Sequence, residues 1–330
     1  GIATGVGIGI SSITNKDSGP PPNELDFSSS ESGVELDLSA NTNTVSAQLD
    51  TNNNTLFNDA NIDTTTESLT VNDTVIGSPQ HDVITAGTST TSIDGKAGND
   101  TIKGGSATNI TLKGDSGDDT ITAGSGTTVI EGGAGNDQLT SQDGNPNITI
   151  KGGDGNDTLT GKNSTDTLQG DAGDDILSGG GAIDTLHGGD GNDTLKGDAG
   201  DDKLYGDGGN DHLQGGDGDD LIQGGAGNDT VSGDADNDTI NGQDGNDTLD
   251  GGAGNDRVYG STGDDTLLVS SGADTLNGGT GNDTLSFSHA TGPVTFSLGD
   301  QERVDANIDS YVNIEKDGFG GNNVTQTVNF

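Results

Sequence analysis

From Gly152 to Ser286 an apolar residue returns at every ninth position without a slip, giving fifteen units in unbroken phase. In alternate units it is Leu159, Leu177, Leu195, Leu213, Val231, Leu249, Leu267 and Leu285, and between them Leu168, Leu186, Leu204, Ile222, Ile240, Val258 and Leu276. Its neighbours on either side are mostly polar, so each unit predicts a three-residue strand with one side chain turned inward and two outward. A fixed period of this kind marks a solenoid. Upstream the same phase runs with lapses: units begin at Gly77, Ala86, Gly95, Gly104, Gly114, Ala123, Gly132 and Ser141. The unit from Gly104 has one extra residue and the unit from Ser141 two. Their apolar residues include Ile84, Ile93, Ile102, Leu112, Ile121, Ile130 and Leu139.

The other six positions of each unit are equally regular, and the template reads G-G-x-G-x-D-x-U-x, with U apolar. Glycines at positions one, two and four allow positive φ and close backbone approach, so six residues can turn tightly with carbonyl oxygens aimed inward. Two units, one on each side, close a coil of 18 residues, so alternate units stack in two columns. The first column places Asp82, Asp100, Asp119, Asp137, Asp157, Asp175, Asp193, Asp211, Asp229, Asp247, Asp265 and Asp283 at position six. The second, counted from the start of each unit, has Thr91, Asn109, Thr128 and Pro146 there before Asp166, Asp184, Asp202, Asp220, Asp238, Asp256 and Asp274.

A stretch such as "GGDGNDTLKGDAGDDKLYGDGGNDHLQGGDGDDLIQ" (Gly188 to Gln223) resembles the repeats-in-toxin family, and the resemblance covers residues 77–286. It implies an all-β chain: a right-handed parallel β-roll, a β-solenoid with Ca²⁺ between stacked turns and non-repeat caps at its ends. It also implies type I secretion from a Gram-negative bacterium through a C-terminal signal, with which the ending "GGNNVTQTVNF" is compatible.

The residue chemistry points to the same ion independently. Carboxylates and carbonyls form an all-oxygen site, which suits a hard cation, and calcium accepts six to eight irregular ligands more readily than magnesium does. The chain has no cysteine and only four scattered histidines, so zinc has no cluster to bind. An EF-hand would need a glutamate at the twelfth loop position, and none follows these turns. The expected ligands are Asp100, Asp119, Asp137, Asp157, Asp175, Asp193, Asp211, Asp229, Asp247, Asp265 and Asp283 in the first column. In the second they are Asp166, Asp184, Asp202, Asp220, Asp238, Asp256 and Asp274. One ion per gap gives at most about 16 Ca²⁺. The early second column should bind little metal, and Ser164, Ala182 and Asp236, standing where glycine is wanted at position four, should mark weaker or empty gaps.

Charge makes the metal a requirement. Against 55 acidic residues the chain has 11 lysines and arginines, a net charge of -44. Sixteen ions would leave about -12; without them the stacked carboxylates repel across a core too thin to hold them, as only 25% of residues are hydrophobic. The metal-free repeat should be unfolded, and binding and folding should be one event. The overall acidity argues against nucleic acid as a partner, and "GIATGVGIGI" is too short to span a bilayer.

Residues 1–30, with "GPPPN" at Gly19 to Asn23, read as a flexible tail or linker. Residues 31–76 read as an N-terminal β cap containing the alternating "SGVELDLSA" (Ser32 to Ala40). The roll occupies 77–286, degenerate on one side over 77–151 and regular over 152–286. Residues 287–330 read as a C-terminal β cap containing "TGPVTFSLGD" (Thr291 to Asp300) and the aromatics Phe287, Phe296, Tyr311 and Phe319. His81, His187, His212 and His289 read as exposed surface, and Asp174 beside Asp175 as a solvated neighbour of a ligand rather than an acid–base pair. Position seven carries a row of threonines, Thr101, Thr120, Thr158, Thr194 and Thr230 among them, but Thr is simply a good strand residue, and an ice-binding face is the lesser reading. The expectation is a non-enzymatic, secreted, extracellular or cell-surface calcium-binding protein that folds outside the cell and forms a homo-oligomer or polymer in a surface layer, matrix or filament. The alternative is the calcium-dependent secretion and folding module of a larger exported enzyme, toxin or adhesin.

Overall fold

The structure is a computed structural model and describes residues 25–26, 35–37, 47–48, 74–86, 90, 92–106, 108–145, 147–286, 288–289 and 311–313. The chain divides into two compact units, Gly1–Ser164 and Thr165–Phe330. Among the described residues there is strand and turn but no helix, and hence none long and apolar enough to cross a membrane. Within each unit the strands form two stacks, one per column, and the repeat strands pair in parallel with the strand one coil away.

In the second unit the second-column strands run Thr167–Ala172, Thr185–Asp190, Lys203–Gly208, Leu221–Ala226, Thr239–Asp244, Arg257–Thr262 and Thr275–Thr280. The register repeats without drift: Leu186 pairs with Leu204, Leu204 with Ile222, and Ile222 with Ile240. The first-column strands follow the same rule from Ile176–Gly181 to Thr284–Ser286, and Tyr311–Asn313 pairs in parallel onto the last of these. In the first unit the first-column stack begins with Glu35–Asp37, inside the stretch read as a capping strand. It pairs in parallel with Val83–Thr85 and antiparallel with Ala47–Gln48. Thr291 to Asp300, Phe287, Phe296, Phe319 and most of the two cap segments lie outside the described residues.

The second-column strands of the second unit are six residues long, not three, as are the first-column strands up to Thr230–Ala235, whereas Thr248–Asp250, Thr266–Leu268 and Thr284–Ser286 keep the three expected. The longer strands set the pattern. They run from position seven through position three of the next unit, because after the inward glycine at position one the backbone re-enters the ladder: Gly189 pairs with Asp207 and Asp190 with Gly208. Burial alternates along the strand, so the inward side chains are the aspartate at position six and the apolar residue at position eight, followed by the bare glycine at position one. Leu168, Leu186, Leu204 and Ile222 in the second-column stack and Leu195 and Leu213 in the first are fully buried. A core of one apolar side chain per nine residues is thin, and carboxylates occupy the rest of the interior.

The three glycines also divide their labour differently from the expectation. Gly189 and Gly191, at positions two and four, have φ of 116° and 147°, whereas Gly188 at position one does not lie in the left-handed region. Position one is glycine because there is no room: a Cβ on Gly188 would stand 2.7 Å from the carbonyl oxygen of Gly206 and against the carboxylate of Asp193. At position two aspartate substitutes readily, with Asp171, Asp198, Asp207 and Asp234 held at φ of 70–75°. This matches the tolerance of Asp and Asn for that conformation. Ala182 and Asp236 adopt the same hand at position four, φ 77° and 76°.

Candidate metal centre

All the position-six aspartates except the half-buried Asp274 are buried at the end of a turn, where the chain enters the strand. Along each ladder the Oδ1 of one aspartate accepts the backbone N–H of the aspartate one coil earlier. In the first unit the first-column ladder runs from Asp82 N to Asp100 (2.7 Å), Asp100 N to Asp119 (2.6 Å), Asp119 N to Asp137 (2.7 Å) and Asp137 N to Asp157 (2.8 Å). In the second unit it runs from Asp175 through Asp193, Asp211, Asp229, Asp247 and Asp265 to Asp283, at 2.8 to 3.1 Å. There the second column repeats it from Asp166 through Asp184, Asp202, Asp220, Asp238 and Asp256 to Asp274, at 2.7 to 3.2 Å.

The second oxygen is the informative one. Oδ2 of Asp100, Asp119, Asp137, Asp184, Asp193, Asp202, Asp211 and Asp220 is buried and accepts nothing, as is that of Asp229, Asp238, Asp247, Asp256 and Asp265. Each of these atoms points to the place beside the position-one glycine, and for all but Asp256 a carbonyl oxygen from the next coil also arrives there. The carbonyl of Gly233 lies 2.8 Å, and that of Gly260 3.0 Å, from where a Cβ on Gly215 or Gly242 would be. Acceptors converge on acceptors, with no donor between them. Such an arrangement is costly in a dry interior unless a cation sits among the oxygens.

The donor set fits a hard divalent ion. Among the described residues no three His, Asp or Glu side chains come together as a metal cluster, so the carboxylates must be completed by backbone carbonyls. A bound Ca²⁺ would supply the missing positive charge among these oxygens, and it is an ion that accepts carboxylate and backbone carbonyl ligands together. Asp157, Asp166 and Asp175 are buried at the same register, whereas Asp274 is half-buried with Ser270 Oγ 3.5 Å from its Oδ2. Asp283 is slightly exposed at the last coil of the repeat.

Three features were not visible from spacing. First, both oxygens of Asp82 are taken by Ser78, whose backbone N–H donates to Oδ2 (2.6 Å) and whose hydroxyl donates to Oδ1 (2.8 Å). The earliest aspartate is thus closed by hydrogen bonds. Second, the early second column is aligned differently from the count given above. Thr91 and Pro146 lie outside the described residues, and the extra residues fall within the turn, ahead of position six. The strand register then puts Ile110 opposite Thr127, while Ile148 stands two residues before Ile150. Ile110, Thr127 and Ile148 are all buried, so hydrophobic or hydroxyl side chains occupy the place that aspartate takes elsewhere. Third, position five carries its own ladder at the surface. Asp174 Oδ1 accepts from Asn192 N (2.8 Å), and Asn192 Oδ1 from Asn210 N (3.0 Å). Asn210 Oδ1 then accepts from Asn228 N (2.8 Å). The recurring Asn or Asp one residue before each first-column ligand is the sequence signal for it. The hydrogen bonds from Asn192 hold the Asp174 carboxyl below its ordinary range.

Burial shifts the ladder carboxyls strongly upward, against the backbone donors that favour their charged form. Asp100 and Asp238 are pushed up to about 8, Asp119, Asp184, Asp211 and Asp220 to about 7, and Asp137, Asp193, Asp247 and Asp265 to about 6. Neighbouring carboxylates add to the rise at each of them. A carboxyl whose pKa is higher folded than unfolded binds its proton more tightly in the fold. In the absence of metal, acid therefore stabilises the roll; this contribution is complete below the ordinary value of 3.8 and lost as pH rises through about 6 to 8. In chelator, the circular dichroism of the chain is expected to show β structure appearing on acidification, with a midpoint well above pH 4. A midpoint near 4 would mean that these buried positions do not govern the transition.

The chain matches the RTX calcium-binding nonapeptide repeat over residues 70–139 and 151–285, in overlapping segments. Stacked parallel coils, each closed by a glycine turn with a buried carboxylate, define a calcium-binding β-roll. The chain belongs to the RTX calcium-binding nonapeptide repeat family. No curated relative matches it.

Proposed function

We propose that this chain is a secreted structural protein that folds when it meets calcium outside the cell and then assembles with copies of itself into a layer, matrix or filament. The eighteen aspartates named above are the proposed ligands, and no catalytic role is assigned to any of them. What supports assembly is the distribution of charge. At positions seven and nine the first-column strands of the second unit, from Ile176 to Ser286, carry a single carboxylate, Asp250, while Asp198, Asp217 and Asp234 stand at positions two and three at the far end of the same strands. The row Ile176, Thr194, His212 and Thr230 is free of carboxylates, and beside it Ser178, Gln214 and Ser232 hold the bordering Asp198 and Asp234 in hydrogen bonds, so this is the face on which two such acidic chains can meet with least repulsion. Ile176 is 53% exposed on it.

The test is a calcium titration from chelator to about 10 mM, followed by circular dichroism and light scattering together; the range covers weak extracellular sites. Folding accompanied by growth into large regular particles is expected. Folding to a stable monomer would overturn the assembly reading and favour a calcium-dependent folding module of a longer exported protein.

A further inference from the structure

The opposite face of the second unit has a different chemistry. On its second-column strands the outward positions seven and nine read Thr167/Gln169, Thr185/His187, Lys203/Tyr205, Leu221/Gln223, Thr239/Asn241, Arg257/Tyr259 and Thr275/Asn277. None is a carboxylate, in a chain with 55 of them. The cation–apolar–tyrosine triplet occurs twice, as Lys203-Leu204-Tyr205 and Arg257-Val258-Tyr259, and the unbroken register through Leu221 and Thr239 sets the two triplets three rungs apart. At the spacing of paired strands that is about 14 Å. Lys203 and Arg257 are exposed and form no ion pair among the described residues, although lysines elsewhere, Lys96 and Lys113, do.

The aromatic row is built to present flat surfaces. His187 stacks on Tyr205, ring centroids 4.5 Å apart and 11° from parallel, and Asp207 fixes the imidazole through Nδ1 at 3.1 Å. Beside the stack, Gly188, Gly189 and Gly208 leave a cavity of about 370 Å³ whose rim includes Gln169, Asp171 and Asp207. Along the strand direction the face is therefore graded. Free cations lie along one edge, rings and amides along the middle, and hydroxyl-accepting carboxylates along the other edge of the His187 segment.

We propose that this face binds an acidic polysaccharide laid along the coil axis. A sugar ring carrying a carboxylate on one edge and hydroxyls on the other matches that gradation, and an extended glycan advances by about one rung per ring, so successive sugars meet successive strands. Lys203 and Arg257 pair with carboxylates three sugars apart, Tyr205 and Tyr259 pack against ring faces, and Gln223 and Asn241 contribute amide hydrogen bonds between them. The binding stands whether or not copies of the chain assemble through the other face.

The test uses the full calcium-loaded chain and oligouronides too short to gel with calcium, with binding followed by calorimetry. A neutral gluco-oligosaccharide and polyglutamate serve as the sugar-only and charge-only comparisons, and circular dichroism shows that each variant is folded. The oligouronide is expected to bind more tightly than either comparison. The Lys203→Gln/Arg257→Gln double variant should weaken it by about tenfold or more and flatten its salt dependence. Tyr205→Ala/Tyr259→Ala should also weaken it, and the corresponding Phe substitutions should restore it. Absence of oligouronide binding, equal binding of polyglutamate, tighter binding of the neutral sugar, or double variants that bind as the parent does would each overturn the proposal.

Discussion

Excess chelator is expected to erase most of the β-sheet ellipticity of the calcium-loaded chain, and restored calcium to return it in one cooperative transition. The magnitude should approach loss of the whole repeat rather than fraying of one end. The reason is the pairing of buried acceptors: Oδ2 of Asp193, Asp211 and Asp229 in one column, and of Asp184, Asp202 and Asp220 in the other, face carbonyl oxygens with no donor between them. With the metal gone, each coil keeps one apolar side chain per column and two buried carboxylates, so neither hydrophobic burial nor hydrogen bonding holds the turns. The expected exception lies in the first unit. Its second column carries Ile110, Thr127 and Ile148 at the ligand position, and a charge ladder alternates outside it: Asp94 is opposite Lys113, Lys113 opposite Glu131, and Glu131 opposite Lys151. Hydrogen exchange at intermediate calcium should find this side the last to open. Uniform retention of ellipticity in chelator would show that the carboxylates do not need the metal.

The second large effect is a single methyl group. Gly227→Ala is expected to lower the stability of the calcium-bound roll by roughly 3 kcal/mol, because it forces alanine into φ of 131° and drives its Cβ into the carbonyl of Gly209. Gly208→Ala is the matched control: its φ is outside the left-handed region, and the nearest atoms to an added Cβ lie 3.7 Å away. Thermal melts of the two variants in the same calcium concentration decide the matter. Equal losses would mean that the glycines serve chain flexibility rather than close approach.

The period, the two columns and the inward leucines could be read directly, because a nine-residue repeat leaves no freedom in which side chain points inward. The parallel pairing of Leu186 with Leu204 follows from the period alone. Insertions were harder. Counting forward from Ser141 puts Pro146 at position six, but the chain absorbs extra residues in its turns and keeps the strands in register. Counting back from Ile150 would have found Ile148. The length of the six-residue strands was missed for a related reason. Glycine has no strand preference, yet Gly188 and Gly189 continue the strand because the neighbouring coil fixes their backbone. The hydrogen-bonded closure at Asp82 depends on Ser78, a single residue at the second position of its unit, and no periodicity signals it.

The carboxylate ladder also has a sense. Every amide in it looks to the carboxylate one coil further along the chain and none looks back, from Asp175 to Asp193 and on to Asp283. A roll that grows from its C-terminal end therefore offers each arriving coil an acceptor already in place. One that grows from its N-terminal end leaves the newest amide waiting. The two directions of winding are chemically different events, and the nucleus that starts the roll sets which of them the chain follows.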